Sequence, residues 1–396
     1  MKIFVRQGDS LWYYSQLFNL PISLVIASNP TISPSQLYVG QQIDIPGYTI
    51  HSYTIKSNDT LWNIARNFNI PMDSLFLLNP AIQPSYLQIG QQLSIPIRVT
   101  NLIMSDVSQY TYERMVTDIN HLVTIYPFIK RRAIGRSVLN KDILELEIGI
   151  GQSTRNINGS FHANEWITTP IIMQFINEYA LSIMNNQPIR GLYLLPYFET
   201  VRLSFVPMVN PDGVNLVLNG PDAADNLRDQ VLQINRQNPN FNSWKANING
   251  VDLNNQYPAL WETEAARKPA SPSPSDFPGY RPLTEPEANA MAQLAQEKNF
   301  DIMNAFHTQG KVIYWGFEGL EPAESEAIVN EYQRVSGYLP VQFVDSYAGY
   351  KDWFIQQFRK PGFTVELGRG TNPLPISQFS EIYEETLGIM LATLYW

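Results

Sequence analysis

The chain contains no cysteine. Disulfides are therefore excluded, and any metal site must draw on His, Asp or Glu. Histidine is scarce as well: His51, His121, His162 and His307 are the only ones in 396 residues. No apolar run reaches about 18 residues, so no membrane-spanning helix is expected. A secretory signal is also missing, because Met1–Trp12 lacks an apolar core segment and passes directly into patterned sequence. That absence predicts a cytoplasmic protein, unless a leader has been removed. A basic excess is lacking too, since the net charge is -9. Residues 1–96 balance Lys2, Arg6, Lys56 and Arg66 against Asp9, Asp44, Asp59 and Asp73, so the surplus acid lies in 97–396. This distribution disfavours nucleic-acid binding, which wants a basic face. What is present is 44% hydrophobic residues, enough for globular domains with real cores.

The first 96 residues repeat. Asp9-Ser10-Leu11-Trp12 recurs as Asp59-Thr60-Leu61-Trp62, and Asn29-Pro30 as Asn79-Pro80. Gly40-Gln41-Gln42 recurs as Gly90-Gln91-Gln92, and Ile45-Pro46 as Ile95-Pro96. Every offset is 50, which indicates duplicated units. Each unit begins with a short strand (Lys2–Arg6; Ser52–Lys56). Asp followed by Ser or Thr then caps a helix. Leu61, Ile64, Ala65 and Phe68 lie at helical spacing and form one apolar face. A second helix ends at Asn-Pro and a strand closes at Ile-Pro, giving a βααβ unit of roughly 45 residues.

These blocks resemble LysM modules, which bind N-acetylglucosamine-containing glycans such as peptidoglycan and chitin. The resemblance places a groove between the loop before the first helix and the loop after the second. It implies glycan contacts from Gly8, Asp9, Ser10, Asn29, Pro30 and Ile32 in residues 1–47. In residues 50–97 it implies Asn58, Asp59, Thr60, Asn79, Pro80 and Ile82. Asp9 and Asp59 have the alternative role of helix caps. Two weak sites on one chain would raise affinity for a polymer by avidity.

Residues 98–110 read as a linker, and patterned sequence resumes at 111. Apolar strands alternating with helices follow to residue 396, which predicts an α/β domain. Expected strands are Ile143–Ile150, Asn156–Phe161, Arg202–Val209, Ile302–Phe306 and Phe363–Leu367. Expected helices are Tyr112–Tyr126, Glu165–Met184, Glu285–Lys298 and Ser377–Leu394, with Thr284 and Glu287 as a capping box. His162 and His307 each follow a strand, and Glu165 stands three residues beyond His162. Ligands at strand ends suit the carboxyl edge of an α/β sheet. Two His and one Glu form a catalytic zinc set that leaves a position for water. Glu366, a carboxylate inside the apolar run Phe363–Leu367, is the best candidate for the base, because burying it is costly without a task or partner. His51 and His121 read as structural or merely exposed.

Residues 110–396 resemble the M14 zinc carboxypeptidases. The matching motifs are Ile134-Gly135-Arg136-Ser137, His162-Ala163-Asn164-Glu165-Trp166, Asn210-Pro211-Asp212-Gly213, Gly250-Val251-Asp252-Leu253-Asn254-Asn255, Phe306-His307-Thr308 and Phe363–Leu367. The resemblance implies a mixed sheet flanked by helices and one Zn2+ on His162, Glu165 and His307. It implies Glu366 as general base and then general acid.

The departures from that pattern narrow the substrate. The family clamps a terminal carboxylate with an Arg where this chain has Asn255. An amide cannot supply that charge. The family's oxyanion Arg follows a Trp; here Lys245 follows Trp244, a cation with less rigid geometry. The family's mobile Tyr falls near Val344, with Tyr347 or Tyr350 as substitutes. Lys351 aligns with the side-chain specificity position, where a cation favours an anionic group. Asn254, Asn255, Lys351 and Tyr347 are thus the implied substrate contacts. A bacterial branch with LysM repeats has a similar pattern: γ-D-glutamyl-(L)-meso-diaminopimelate peptidases of the sporulation type. The resemblance to it implies peptidoglycan and muropeptides as partners, and cell-wall association in the cytoplasm or a sporulating-cell compartment. The alternatives are a carboxypeptidase on ordinary peptides and a glycan-binding protein with an inactive peptidase domain.

Overall fold

The computed structural model describes residues 1–104 and 106–396. In the first repeat, β1 (Lys2–Phe4) pairs antiparallel with β2 (Gln42–Asp44), with Ile3 opposite Ile43. Helices Leu11–Leu17 and Ile22–Ala27 lie between them. In the second repeat, β3 (Tyr48–Thr54) pairs antiparallel with β4 (Gln92–Arg98). Helices Leu61–Asn67 and Met72–Leu78 lie between these strands. Strand β3 therefore starts and ends earlier than the Ser52–Lys56 expected. Tyr48 finds a partner in Arg98, whereas the Lys56 N–H is drawn into a turn by Asp59.

The caps are Ser10 and Thr60, whose hydroxyls accept from the N–H groups of Tyr13 and Asn63. Asp9 and Asp59 are not the caps. Asp9 closes the preceding turn by accepting from the Arg6 N–H and the Tyr14 hydroxyl. Asp59 does the same with the Lys56 N–H and the Tyr53 hydroxyl. Gly8 and Asn58 occupy equivalent left-handed positions at φ +86° and +68°. Glycine reaches that region freely, and Asn is among the few other residues that tolerate it. The Asn29 amide is buried and bonded to Val25 O, Asp44 O and Asp44 N. Asn79 repeats this with Leu75 O, Ser94 O and Ser94 N. These two side chains tie the second helix to the closing strand.

The chain falls into two compact units. One comprises residues 1–103, 119–130 and 177–199; the other holds 104–118, 131–176 and 200–396. Within the first, Gly47 N–H donates to Ile125 O at 2.7 Å and the Arg98 guanidinium to Met184 O at 2.8 Å. The repeats are therefore joined to segments from the ends of helices Tyr112–Ile125 and Thr168–Asn185. The two repeats are also joined to each other. The Arg6 guanidinium grips Asp73 through Nη1 at 3.0 Å and Nη2 at 2.6 Å, and the Tyr13 hydroxyl donates to the same carboxylate.

The second unit is organised around an eight-stranded mixed sheet. Its strands are β5 (Lys130–Arg136), β6 (Asp142–Ile148), β7 (Ser153–Gly159), β8 (Val201–Val206), β9 (Ile302–Thr308), β10 (Val312–Tyr314), β11 (Leu339–Val341) and β12 (Gly362–Leu367). Their order is β11-β10-β12-β9-β7-β8-β6-β5. The central four, β12, β9, β7 and β8, run parallel. β8, β9 and β12 are rich in apolar residues, as strands covered on both faces should be, whereas β7 is mostly polar and buries Asn156 and Asn158. Helices Pro286–Lys298 and Phe379–Tyr395 contribute apolar faces, with Ala288, Met291, Leu387 and Met390 all buried. Pro286 takes the first helical position, which makes Glu285 the cap residue. Thr284 instead bonds Gln256, and Glu287 is bonded to Val138 and Asn247, so the expected capping box does not form. No helix among the described residues is long and apolar enough to cross a membrane.

Candidate metal centre and active site

The three parallel strands β7, β9 and β12 end at one edge of the sheet, and each delivers a site residue there. His162 follows β7, His307 lies near the end of β9, and Glu366 sits on β12 directly opposite His307. Adjacent strands lie about 4.8 Å apart, so that register alone brings Glu366 beside His307. Glu165 does not open a long helix. It closes a 3-10 turn, Ala163–Glu165, and the α-helix starts at Thr168. Thr168 Oγ1 bonds both the Glu165 carbonyl and the Ser160 N–H. Ser160 itself is held at φ +52°, an uncommon conformation for a non-glycine residue.

His162, Glu165 and His307 are all buried and converge on one point. His162 Nδ1 lies 2.8 Å from Glu165 Oε1, and His307 Nδ1 lies 2.9 Å from Glu165 Oε2. The two Nδ1 atoms face each other at 3.2 Å. Ligands about 2.0–2.1 Å from one tetrahedral ion stand ~3.3 Å apart. Two ring nitrogens aimed at each other and at one carboxylate suit a shared cation better than a proton. Behind them, Asp252 Oδ1 takes His162 Nε2 at 3.1 Å, which fixes the ring with Nδ1 free to ligate. Glu165 is steadied by the Thr308 N–H at 3.2 Å and the Asn372 amide at 3.4 Å. The residues therefore fit a zinc ion.

Glu366 is pushed up to about 8, first by burial and next by the negative charge of Glu165, against the pull of His162 and Lys245. A carboxyl group beside the metal ligands is placed to take and return a proton. Lys245 faces this centre. Burial works against its charge, but Asp252, Glu165, Asp276 and Glu366 outweigh burial and hold its ammonium above the usual range. Its backbone is fixed as well, because Lys245 O accepts from the Ala163 N–H and Lys245 N–H donates to Pro274 O.

Next to Glu366 is a cavity of about 210 Å³ lined by Asn254, Tyr314, Val344, Ser346, Gly349, Lys351, Asp352, Thr364 and Glu366. Of the substrate contacts expected from sequence, Asn254 and Lys351 are in this lining. Asn255, at the clamp position, is buried outside it. Tyr347 is outside it too, packed edge-on to Phe317 and under the Arg267 guanidinium. Val344 is indeed beside Glu366, so no tyrosine comes from that loop position. Lys351 is not a solvent-facing cation. It is buried, bonded to Gly316 O at 2.6 Å and paired with Asp352 at 2.7 Å.

Four further side chains contact the metal ligands or line the cavity. Asp252 was visible inside a motif, but its grip on His162 was not. Asn372 lies 207 residues from the Glu165 it touches. Tyr314 belongs to a strand of three residues, and Asp352 lies in the first turn of the helix Tyr350–Phe358. The Pro258–Pro282 loop is braced by backbone bonds. Its Pro274 and Phe277 carbonyls accept from the N–H groups of Lys245, Ala246 and Asp252. His51 and His121 are exposed and distant in role from the centre.

Residues 115–388 match the zinc carboxypeptidase family Peptidase M14, and residues 4–46 and 53–96 each match the LysM domain. The chain belongs to the M14 zinc-peptidase family and carries two LysM domains. Among its relatives, γ-D-glutamyl-L-diamino acid endopeptidase 1 of Lysinibacillus sphaericus is 61% identical over 395 residues, covering 100% of both chains. An uncharacterized protein of Bacillus subtilis is 50% identical over 283 residues, covering 70% of this chain and 75% of that one. In fold, the chain is similar to bovine thrombin-activatable fibrinolysis inhibitor solved with tick carboxypeptidase inhibitor. That likeness has a TM-score of 0.56 at 18% identity and covers 72% of this chain and 95% of the other.

Proposed function

We propose that this protein hydrolyses the γ-D-glutamyl-meso-diaminopimelate bond of peptidoglycan stem peptides while its LysM modules hold the glycan. The observation that carries this reading is a complete hydrolytic centre without a carboxylate clamp. His162, Glu165, His307, Glu366 and Lys245 are assembled, while Asn255 is neutral and lies outside the cavity. The printed name of the 61% identical relative supports the choice of bond.

A single zinc on His162, Glu165 and His307 would supply Lewis acidity and a water of lowered pKa. The Glu366 carboxylate accepts a proton from water as the oxygen bonds to the γ-carbonyl carbon. It then delivers that proton to the departing nitrogen as the C–N bond breaks. Lys245 places its ammonium where negative charge gathers on the carbonyl oxygen. Asp252 keeps the His162 proton on Nε2 and the ring in place. In the LysM modules, the exposed loop positions Gly8, Pro30, Asn58, Thr60 and Pro80 offer the contact surface. Ser10, Ile32 and Ile82 flank them, and the module pair directs the enzyme to cell-wall glycan.

The test is mass spectrometry of L-Ala-γ-D-Glu-meso-diaminopimelate incubated with the protein, with and without a chelator. L-Ala-D-Glu and free diaminopimelate should form only without chelator, and Glu366→Gln should abolish both. Comparable trimming of ordinary α-linked peptides, or full activity of Glu366→Gln, would refute the reading.

A further inference from the structure

The two repeats lie in one compact unit and border a groove of about 530 Å³. The Arg6–Asp73 pair and the bonds from Tyr48 and Arg98 to the Phe18 carbonyl fix the repeats against each other. Part of the groove is an open strand edge. Backbone bonds alternate along an antiparallel pair. The Met1 ammonium donates to Ile45 O and the Val5 N–H to Gln41 O, so Met1 and Val5 face β2. The N–H and C=O groups of Lys2 and Phe4 therefore point the other way. They have no backbone partner on that side among the described residues, and β1 pairs with β2 alone. Lys2 and Phe4 both line the groove. An unpaired edge of this kind presents donors and acceptors that fit another amide. The flanks are apolar and open to solvent: Phe4 is 60% exposed, Val39 70% and Ile50 52%. The two cations of the lining, Lys2 and Arg6, are already paired with Asp44 and Asp73, so the groove offers a ligand no net charge.

This lining is not a property of the module itself. At an offset of 50, Phe4 corresponds to Thr54, Leu77 to Ala27, Leu78 to Ser28 and Ser94 to Asp44. In each pair the copy that lines the groove has the larger apolar residue or the one without charge. Packing between the repeats accounts for the buried Leu77 but not for the exposed Phe4. The occupant that suits such a wall is uncharged, carries amide groups for the strand edge and offers apolar patches beside hydroxyls. A sugar with acetamido groups has all of these. Its amide N–H and C=O meet the β1 edge, its methyl and ring C–H faces meet Phe4 and Ile50, and its hydroxyls meet Gln7 and Ser94. Pro80 carries the groove into the loop after the second helix of its module, where a glycan contact is already proposed. We infer that the groove between the repeats is an additional subsite for an N-acetylated segment of glycan, made by the β1 edge with Phe4, Ile50, Leu78 and Ser94. It rests on the reading that the modules hold glycan, and it lengthens the segment they hold.

Isothermal titration of the full chain with N-acetylglucosamine oligomers of two, four and six units tests it. The wild-type protein should bind the hexamer more tightly than the dimer. Phe4→Thr should weaken the hexamer about fivefold to tenfold, the worth of one aromatic contact, and the dimer less. Leu78→Ser should act in the same direction. Both variants install what the other repeat carries at that place, and thermal melts check that they fold. Phe4→Tyr keeps the ring and should retain the wild-type affinity. A de-N-acetylated hexamer should not distinguish wild type from Phe4→Thr. Equal hexamer binding by wild type and Phe4→Thr would overturn the subsite while leaving glycan binding at the loops intact. So would a Phe4→Thr variant that weakened an extended heptapeptide of alternating Thr and Val but no oligosaccharide, since the edge would then pair with polypeptide. Wild-type protein that bound no oligosaccharide would overturn both.

Discussion

Asp252 offers the sharpest perturbation of the metal centre, because it touches the centre through one ring. It is about 1% exposed and accepts from His162 Nε2 at 3.1 Å and from the Asn254 N–H at 3.0 Å. Burial opposes its charge, but His162 and Lys245 hold its carboxyl well below the usual carboxylate range. It is therefore charged at any working pH. Partners of this kind are worth about 10–100-fold in metal affinity or activity. That range corresponds to roughly 1.4–2.7 kcal/mol. Two substitutions divide it. Asp252→Asn retains an oxygen that can accept from Nε2 and loses only the charge, so it belongs near the tenfold end. Asp252→Ala leaves Nε2 buried without an acceptor and belongs near the hundredfold end. Zinc affinity is measured by competition against a chromophoric chelator, alongside kcat on the stem tripeptide. The reasoning fails if the two variants are equal, or if neither weakens zinc binding.

Other outcomes follow from the same physics. Glu287, fully buried and bonded to Val138 N–H and the Asn247 amide, is pushed up to about 8, mainly by burial and further by Asp212. A carboxyl group raised in the folded state favours the protonated form, so its contribution is whole below its unfolded value and fades as pH rises through 8. Thermal melts should show wild-type stability falling between about pH 4.5 and 8, and Glu287→Gln flattening that slope; an unchanged slope counts against this. Asp73→Ala removes the acceptor shared by Arg6 and Tyr13. Both ionic partners are about one-third exposed, so the cost should be about 1 kcal/mol or less, read as a small drop in melting temperature. Its larger effect should be weaker binding to long glycan chains than to short ones, and equal losses on both would refute a fixed pairing of the modules.

The metal centre was legible because its chemistry is tied to regular elements. Apolar runs that end in His, or that hold one Glu, announce strands with a polar residue at the working edge. The parallel register of β7, β9 and β12 then brings those residues together without further instruction. Legibility stopped where contact depends on pairing across long separations. Nothing in the sequence near Asn372 or Tyr314 differs from an ordinary loop or a short edge strand. The neighbours of both are set by tertiary closure. Lys351 shows a different limit. Its position could be aligned, yet its state could not, because the adjacent Asp352 decides whether that ammonium is a free cation or half of a pair.

The repeats contain a comparable lesson about differences. At an offset of 50, Arg6 corresponds to Lys56, Tyr13 to Asn63, and Asp73 to Ser23. These three departures from the repeat meet between modules, beside a second contact in which Tyr48 and Arg98 bond the Phe18 carbonyl. Positions that define each module (Asp9 and Asp59, Ser10 and Thr60, Asn29 and Asn79) are preserved in kind and make the same local bonds. Identity between copies thus encodes the module, and at Arg6, Tyr13 and Asp73 a difference between copies supplies a contact that joins them. Arg suits the joining position better than Lys, because its planar fork can hold one carboxylate with two donors. A pair fixed in this way holds the loops proposed to bind glycan at one spacing. On the proposed function, the modules would then act on a polymer as a single ruler and not as two independent tethers.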